Sequence, residues 1–174
     1  HNGNLTNAHL LREALEAEGA IFQSTMDTEV IMHLIARERG GSLADRVIAA
    51  LSKVQGAYSL VFLSENVMIA ARDPKGFRPL ILGKLGNGFV VVSETCALDL
   101  IDATFIREIE PGEVILFDHK GMETLRLPIQ NSKKAYCIFE YIYFARPDSH
   151  IFGRDVYPIR KGFGKQLAKE HPVD

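Results

Sequence analysis

Asn2 and Gly3 are the first residues of the chain whose types and spacing suit them to act together. An asparagine amide and the peptide N–H of the glycine after it can converge on one point, because glycine tolerates backbone conformations that turn its N–H outward. Two such donors form an oxyanion hole. Held about 3 Å from an oxygen that gains negative charge, they are worth a few kcal/mol in a transition state. The same dipeptide is also a common turn, and alone it does not separate the two readings.

Two further groups invite chemistry. Asp27 stands where a helical pattern begins, so its carboxylate either caps free N–H groups or holds a substrate ammonium. The run Arg72-Asp73-Pro74-Lys75-Gly76-Phe77-Arg78-Pro79 is a charged turn between apolar segments. It reads as a tight hairpin with an Arg–Asp pair of little energetic weight, or as one wall of a site. His9, His33, His119, His150 and His171 lack metal-ligand spacing and read as surface or core side chains. Cys96 and Cys137 lie among apolar residues with no nearby histidine to activate them, and read as inert thiols. Asn4-Leu5-Thr6 matches a glycosylation acceptor by chance.

These residues need elements to hold them. Residues 1–7 read as a turn entering a helix over 6–18, with Thr6 or Asn7 as cap and Gly19 as stop. A second helix is predicted over 25–39, capped by Asp27 or Thr28 and ended by Gly40 and Gly41. A third, over 42–53, is capped by Ser42. After Gly56 the period shortens. Segments 57–63, 67–71, 80–83, 89–93, 113–118 and 122–127 are predicted as antiparallel strands separated by turn residues. Segments 58–63 and 89–92 are apolar on both alternating faces, which predicts burial on both sides. A short helix over 94–102, a long apolar and aromatic strand over 135–144, and a final helix over 158–170 complete the reading. Pro147 stops the strand, and a domain boundary falls within 145–152.

Composition sets the class. The chain has 174 residues, 47% hydrophobic and 24% charged, the balance of a soluble globular domain with a substantial core. Its net charge of −2, with no Lys/Arg run, gives no reason to expect nucleic acid or an anionic membrane as partner. No apolar stretch approaches the roughly 20 residues needed to span a bilayer, and a cytoplasmic setting is expected.

The order of motifs carries more. His1-Asn2-Gly3-Asn4-Leu5-Thr6-Asn7, then Ser24-Thr25-Met26-Asp27-Thr28-Glu29, then Arg72 through Leu80, then Ser93-Glu94-Thr95-Cys96-Ala97-Leu98-Asp99 resemble the glutaminase domain of class II amidotransferases in order and spacing. Glu140-Tyr141-Ile142-Tyr143-Phe144-Ala145-Arg146-Pro147-Asp148-Ser149 is similar to a run found in the amidophosphoribosyltransferase branch. The resemblance implies an α+β fold of the N-terminal-nucleophile hydrolase type, a four-layer αββα sandwich of antiparallel sheets. It implies a partial amidotransferase domain over 1–147, with the linker and first helix of a phosphoribosyltransferase domain over 148–174. It implies Asn2 and Gly3 as oxyanion hole and Asp27 as partner of the glutamine α-amino group.

The implied reaction hydrolyses glutamine and uses its ammonia to displace pyrophosphate from phosphoribosyl pyrophosphate, in a homo-oligomeric enzyme. The family's nucleophilic cysteine, with its α-amino group, and the arginine that grips the glutamine carboxylate have no match here. Both are expected before residue 1, which leaves the chain inactive by itself. The glutaminase half implies no cofactor, and the transferase half implies Mg²⁺ outside this chain. Some members bind a four-iron, four-sulfur cluster, with Cys137 at the position of one ligand; Cys137 reads first as a structural thiol. Two other readings stay open: an amidotransferase of the glucosamine-phosphate synthase type, or a noncatalytic binding or assembly domain of the same fold.

Overall fold

A computed structural model describes residues 1–128 and 133–172. In chain order the elements are β1 (Asn2–Leu5), α1 (Ala8–Ala17), α2 (Asp27–Arg37), α3 (Leu43–Leu51), β2 (Gly56–Leu63), β3 (Met68–Arg72), β4 (Ile81–Leu85) and β5 (Gly88–Val92). They continue with α4 (Cys96–Asp99), β6 (Thr104–Glu108), β7 (Glu113–Asp118), β8 (Gly121–Arg126), a π-helical turn (Glu140–Phe144), β9 (His150–Ile151), β10 (Arg154–Asp155) and α5 (Val156–Glu170). The chain forms two compact units, His1–Arg78 with Glu110–Ala135, and Pro79–Ile109 with Tyr136–Asp174. The class is α+β with open antiparallel sheets.

The first unit is a five-stranded sheet in the order β1-β2-β3-β7-β8, with every neighbouring pair antiparallel. Alternate residues of its strands, Leu60, Ile69, Ala71 and Val114, pack against Leu15, Val30, Ile31, Leu34, Val47 and Leu51 of the helices. Full burial of each large aliphatic side chain is worth roughly 2 kcal/mol, so this core anchors the helices, and Ser59, Ala70, Arg72 and Ile115 at the alternate strand positions are buried as well. The burial expected on both faces of β2 holds only in its first half, since Val61 is 46% and Leu63 83% exposed.

Helix ends follow local chemistry. Ser42 and Asp45 form a reciprocal capping box at α3, and Gly19, at φ +88, stops α1 as predicted. The caps expected from Thr6, Asn7, Asp27 and Thr28 are not made. Met26 occupies the N-cap of α2, and Asn7 bonds instead to Lys53 O at 3.0 Å and Gln55 N at 2.8 Å. These bonds tie the turn after β1 to the chain entering β2.

Three sequence expectations need correction. Residues 2–5 form a strand rather than part of a turn, because the polar Asn-Gly-Asn segment pairs in register with 56–59. The 135–144 segment is not a strand: it is irregular to Ile138 and ends in the π-helical turn. Of its apolar residues only Tyr141 enters the second unit's small core, with Ala145, Ile151 and Val156, while Tyr136 stacks on Phe152 at 4.3 Å and Ile138, Phe139, Ile142, Tyr143 and Phe144 stay exposed. The predicted 94–102 helix shrinks to Cys96–Asp99, and β6 follows where no strand was expected. β6 joins β4 and β5 in a three-stranded sheet ordered β5-β4-β6. Among the described residues, no helix is long and apolar enough to cross a membrane.

Candidate functional site

β1 lies at an edge of the five-stranded sheet, and its register decides which peptide groups face outward. In an antiparallel ladder, residues that bond to the neighbouring strand alternate with residues that face away. Thr6 N–H donates to Gln55 O at 2.8 Å, while Asn4 and Asn2 lie opposite Ala57 and Ser59. Tyr58, opposite Gly3, turns its own groups the other way: its N–H reaches Asp73 Oδ2 at 3.3 Å, and its carbonyl accepts Asp73 N–H at 2.8 Å. Gly3 and Leu5 therefore point their N–H groups to the open edge.

Asp27 takes one of those donors. Its Oδ2 accepts Leu5 N–H at 2.8 Å, and its Oδ1 accepts the Thr28 hydroxyl at 3.3 Å. The Gly3 N–H faces the same way two residues along, about 7 Å at the rise of an antiparallel strand. Glycine is required there on steric grounds as well: Gly3 has φ +148, and a Cβ would lie 2.0 Å from Ala57 O. Asn2 is exposed, with its Cα opposite Ser59. Asn2, Gly3 and Asp27 thus gather around one strand edge. A cavity of about 420 Å³ adjoins it, lined by Asn4, Leu5, Arg12, Thr25, Met26 and Asp27 among others.

Neighbours that sequence reasoning passed over hold this arrangement. His1 Nδ1 lies 2.8 Å from Thr28 Oγ1 and 3.5 Å from Asp27 Oδ1, so the residue before the Asn-Gly pair touches the carboxylate itself. Glu29 binds the loop ahead of Asp27, accepting Gln23 N–H at 2.7 Å, Ser24 N–H at 2.8 Å and the Ser24 hydroxyl at 2.6 Å. The Gln23 N–H, then the Ser24 hydroxyl, lower its pKa to about 2. An acid in a first helical turn ordinarily signals only a favourable dipole contact, which is why its sequence position gave no warning.

The charged turn is a buried backbone clamp. Arg72 and Asp73 are 1% and 0% exposed. Arg72 donates to Arg78 O at 2.8 Å and Gly76 O at 3.2 Å, and the Asp73 carboxylate accepts the N–H groups of Lys75 at 2.9 Å and Phe77 at 3.1 Å. Burial pushes the Asp73 pKa upward against those hydrogen bonds. Pro74, Lys75 and Phe77 line a cavity of about 350 Å³ with Thr6, Gly56 and Tyr58, so the turn does form a wall beside the β1–β2 junction. Cys96 is buried and Cys137 half-buried, both as free thiols. Among the described residues no group of three or more His, Cys, Asp or Glu is placed to hold a metal.

With the strand edge and its carboxylate defined, comparison with known proteins places the fold. The chain belongs to the glutamine amidotransferase domain family, whose model matches residues 1–100. Along its whole length it is 53% identical to a chloroplastic amidophosphoribosyltransferase of Glycine max and 47% identical to the amidophosphoribosyltransferase of Bacillus subtilis (strain 168). It spans about a third of those relatives, 31% and 36% of their lengths. The solved structure of glutamine phosphoribosylpyrophosphate amidotransferase from B. subtilis, complexed with ADP and GMP, superposes with a TM-score of 0.94 at 47% identity. That match covers 99% of this chain and 38% of the solved one.

Proposed function

We propose that this chain is part of an amidophosphoribosyltransferase and carries the oxyanion-stabilising and ammonium-binding side of its glutaminase site. The observation that carries the reading is the open edge of β1, where the Gly3 N–H and the Asp27 carboxylate on Leu5 N–H face outward together. Glutamine fits that spacing: four bonds of about 1.5 Å separate its carboxamide carbon from its α-nitrogen, roughly 5 Å when extended, before a hydrogen bond is added at each end.

In this reading a cysteine thiolate, which neither Cys96 nor Cys137 supplies, adds to the carboxamide carbon. The carbonyl π electrons move onto oxygen, and the Gly3 N–H with the Asn2 amide stabilises that oxyanion. Collapse expels ammonia and leaves a thioester, which water cleaves to glutamate. Asp27 pairs with the α-ammonium, and a substrate lacking that charge leaves the carboxylate unmatched. Ammonia then displaces pyrophosphate from phosphoribosyl pyrophosphate to give 5-phosphoribosylamine, the first step of de novo purine synthesis.

The same proposal places 1–147 in the glutaminase domain and starts the phosphoribosyltransferase domain within 148–174. It assigns the whole protein to the cytoplasm as a homo-oligomer, with neither nucleic acid nor membrane as partner. Mg²⁺ belongs to the transferase half. A four-iron, four-sulfur cluster in the whole protein would take Cys137 as one of its four thiolates, and no step runs through it.

The test uses the full-length protein, assayed for glutamate and for phosphoribosylamine. Asn2→Ala is expected to lower kcat about 100-fold with little change in KM. Asp27→Ala is expected mainly to raise the glutamine KM, by about tenfold or more. Collapse of kcat at unchanged KM for Asp27→Ala would remove Asp27 from the ammonium role.

A further inference from the structure

Ser24 is gripped at both its peptide groups by side chains of opposite charge from two helices. Its N–H donates to Glu29 Oε2 of α2 at 2.8 Å, and its carbonyl accepts Nη1 of Arg12, from α1, at 2.6 Å. The Ser24 hydroxyl donates to the same Glu29 oxygen at 2.6 Å and accepts the N–H of Met26 at 3.2 Å. Met26 is the N-cap of α2, so this chain of bonds ends one residue before Asp27.

Aromatic rings brace the arrangement. The Arg12 guanidinium lies 4.2 Å from the centre of the Phe22 ring, and His33 of α2 packs on Phe22 with 4.3 Å between ring centres. Arg12 Nε also donates to Glu16 Oε1 at 2.9 Å, which holds the guanidinium plane while Nη1 reaches Ser24. A planar fork can stack on a ring and donate in two directions at once, and a lysine ammonium cannot. The side chains of Arg12 and Glu29 are only 26% and 19% exposed, so their charged hydrogen bonds form largely away from water, where such bonds are strong. Arg12, Thr25 and Met26 line the cavity beside Asp27.

We infer that Arg12 is a positioning residue that, through Ser24, fixes the entry into α2 so that the Asp27 carboxylate is aimed at the glutamine α-ammonium. The inference rests on the proposed function above. Asp27 is the first residue of α2 and its Oδ2 is held on Leu5 N–H, so the direction of its other oxygen depends on where the helix begins. A displacement of about 1 Å in a positioned group is enough to lose an order of magnitude or more of its effect. Without Arg12 the Ser24 carbonyl loses its charged donor, Phe22 loses the guanidinium on its face, and Glu29 alone is left to hold Ser24.

The test measures glutamate release by the full-length protein against glutamine concentration. Arg12→Ala is expected to raise the glutamine KM about fivefold with kcat within about twofold of wild type, and Arg12→Lys, which keeps a donor for Ser24 O, to recover part of that loss. In an Asp27→Ala background, Arg12→Ala is expected to change KM by less than about twofold, because a residue that acts through Asp27 has nothing left to position. Should Arg12→Ala not fold, Arg12→Lys and Phe22→Leu carry the test, each with a rise in KM of about twofold or more that disappears in the Asp27→Ala background. An unchanged KM, a fall in kcat at unchanged KM, or the same rise in KM with and without Asp27 overturns the role of Arg12. A wild-type protein that releases no glutamate from glutamine, or an Asp27→Ala variant with the wild-type KM, overturns the functional reading instead.

Discussion

Gly3 is constrained twice, by what its N–H faces and by what a side chain there would strike. A methyl group at Gly3 would meet Ala57 O at 2.0 Å from a backbone at φ +148, so Gly3→Ala must open the β1–β2 pairing. The expected cost is about 3 kcal/mol or more, read from the urea midpoint. Glu29 supplies a pH signature. Its folded pKa of about 2 lies below its ordinary 4.5, so its contribution is complete above pH 4.5 and is lost as pH falls toward 2. Melting temperatures followed across that window should fall more steeply for wild type than for Glu29→Gln; parallel curves would deny Glu29 its hold on the loop before Asp27. At this scale the sequence was informative about identity and silent about direction. Asn2, Gly3 and Asp27 were visible as chemical types, but which N–H groups face outward depends on pairing between residues fifty-five positions apart, and His1 and Glu29 act through contacts that no local pattern reveals.

Elements differed in how openly the sequence announced them. The first three helices combine a clear 3.6-residue period with end signals such as the Gly19 stop and the Ser42–Asp45 box that starts α3, and local chemistry of that strength survives into the fold. β1 was hidden because its four residues include two asparagines and a glycine, poor strand formers that are paired only because β2 accepts them. The 135–144 stretch erred the other way. Ile138, Phe139, Tyr141, Ile142, Tyr143 and Phe144 suit a strand by type, yet Arg160 and Tyr141 supply tertiary bonds that fix a π-helical turn. Tyr141→Phe tests that explanation by removing the donor to Ile151 O. About 1 kcal/mol of stability is expected to go, measured by denaturant unfolding with the fold retained.

On the scale of the whole molecule, two compact units share one chain that passes from the first to the second and back before ending in the second. β1 forms an edge of the larger sheet with donors facing outward, and such edges invite pairing with another chain. The 174-residue chain by itself is therefore expected to self-associate at micromolar concentrations in sedimentation experiments, and a monodisperse monomer would contradict this. The alternating ladder also limits how sequences of this kind can vary. Sliding β1 by one residue against β2 would exchange the inward and outward sets, presenting the peptide groups of Asn2 and Asn4 at the edge and withdrawing Leu5 from Asp27. Loops elsewhere can lengthen at small cost, whereas the count of residues from His1 to Leu5 has no slack. Indels are thus expected to be tolerated at the Gly86–Gly88 turn and excluded from the first five positions.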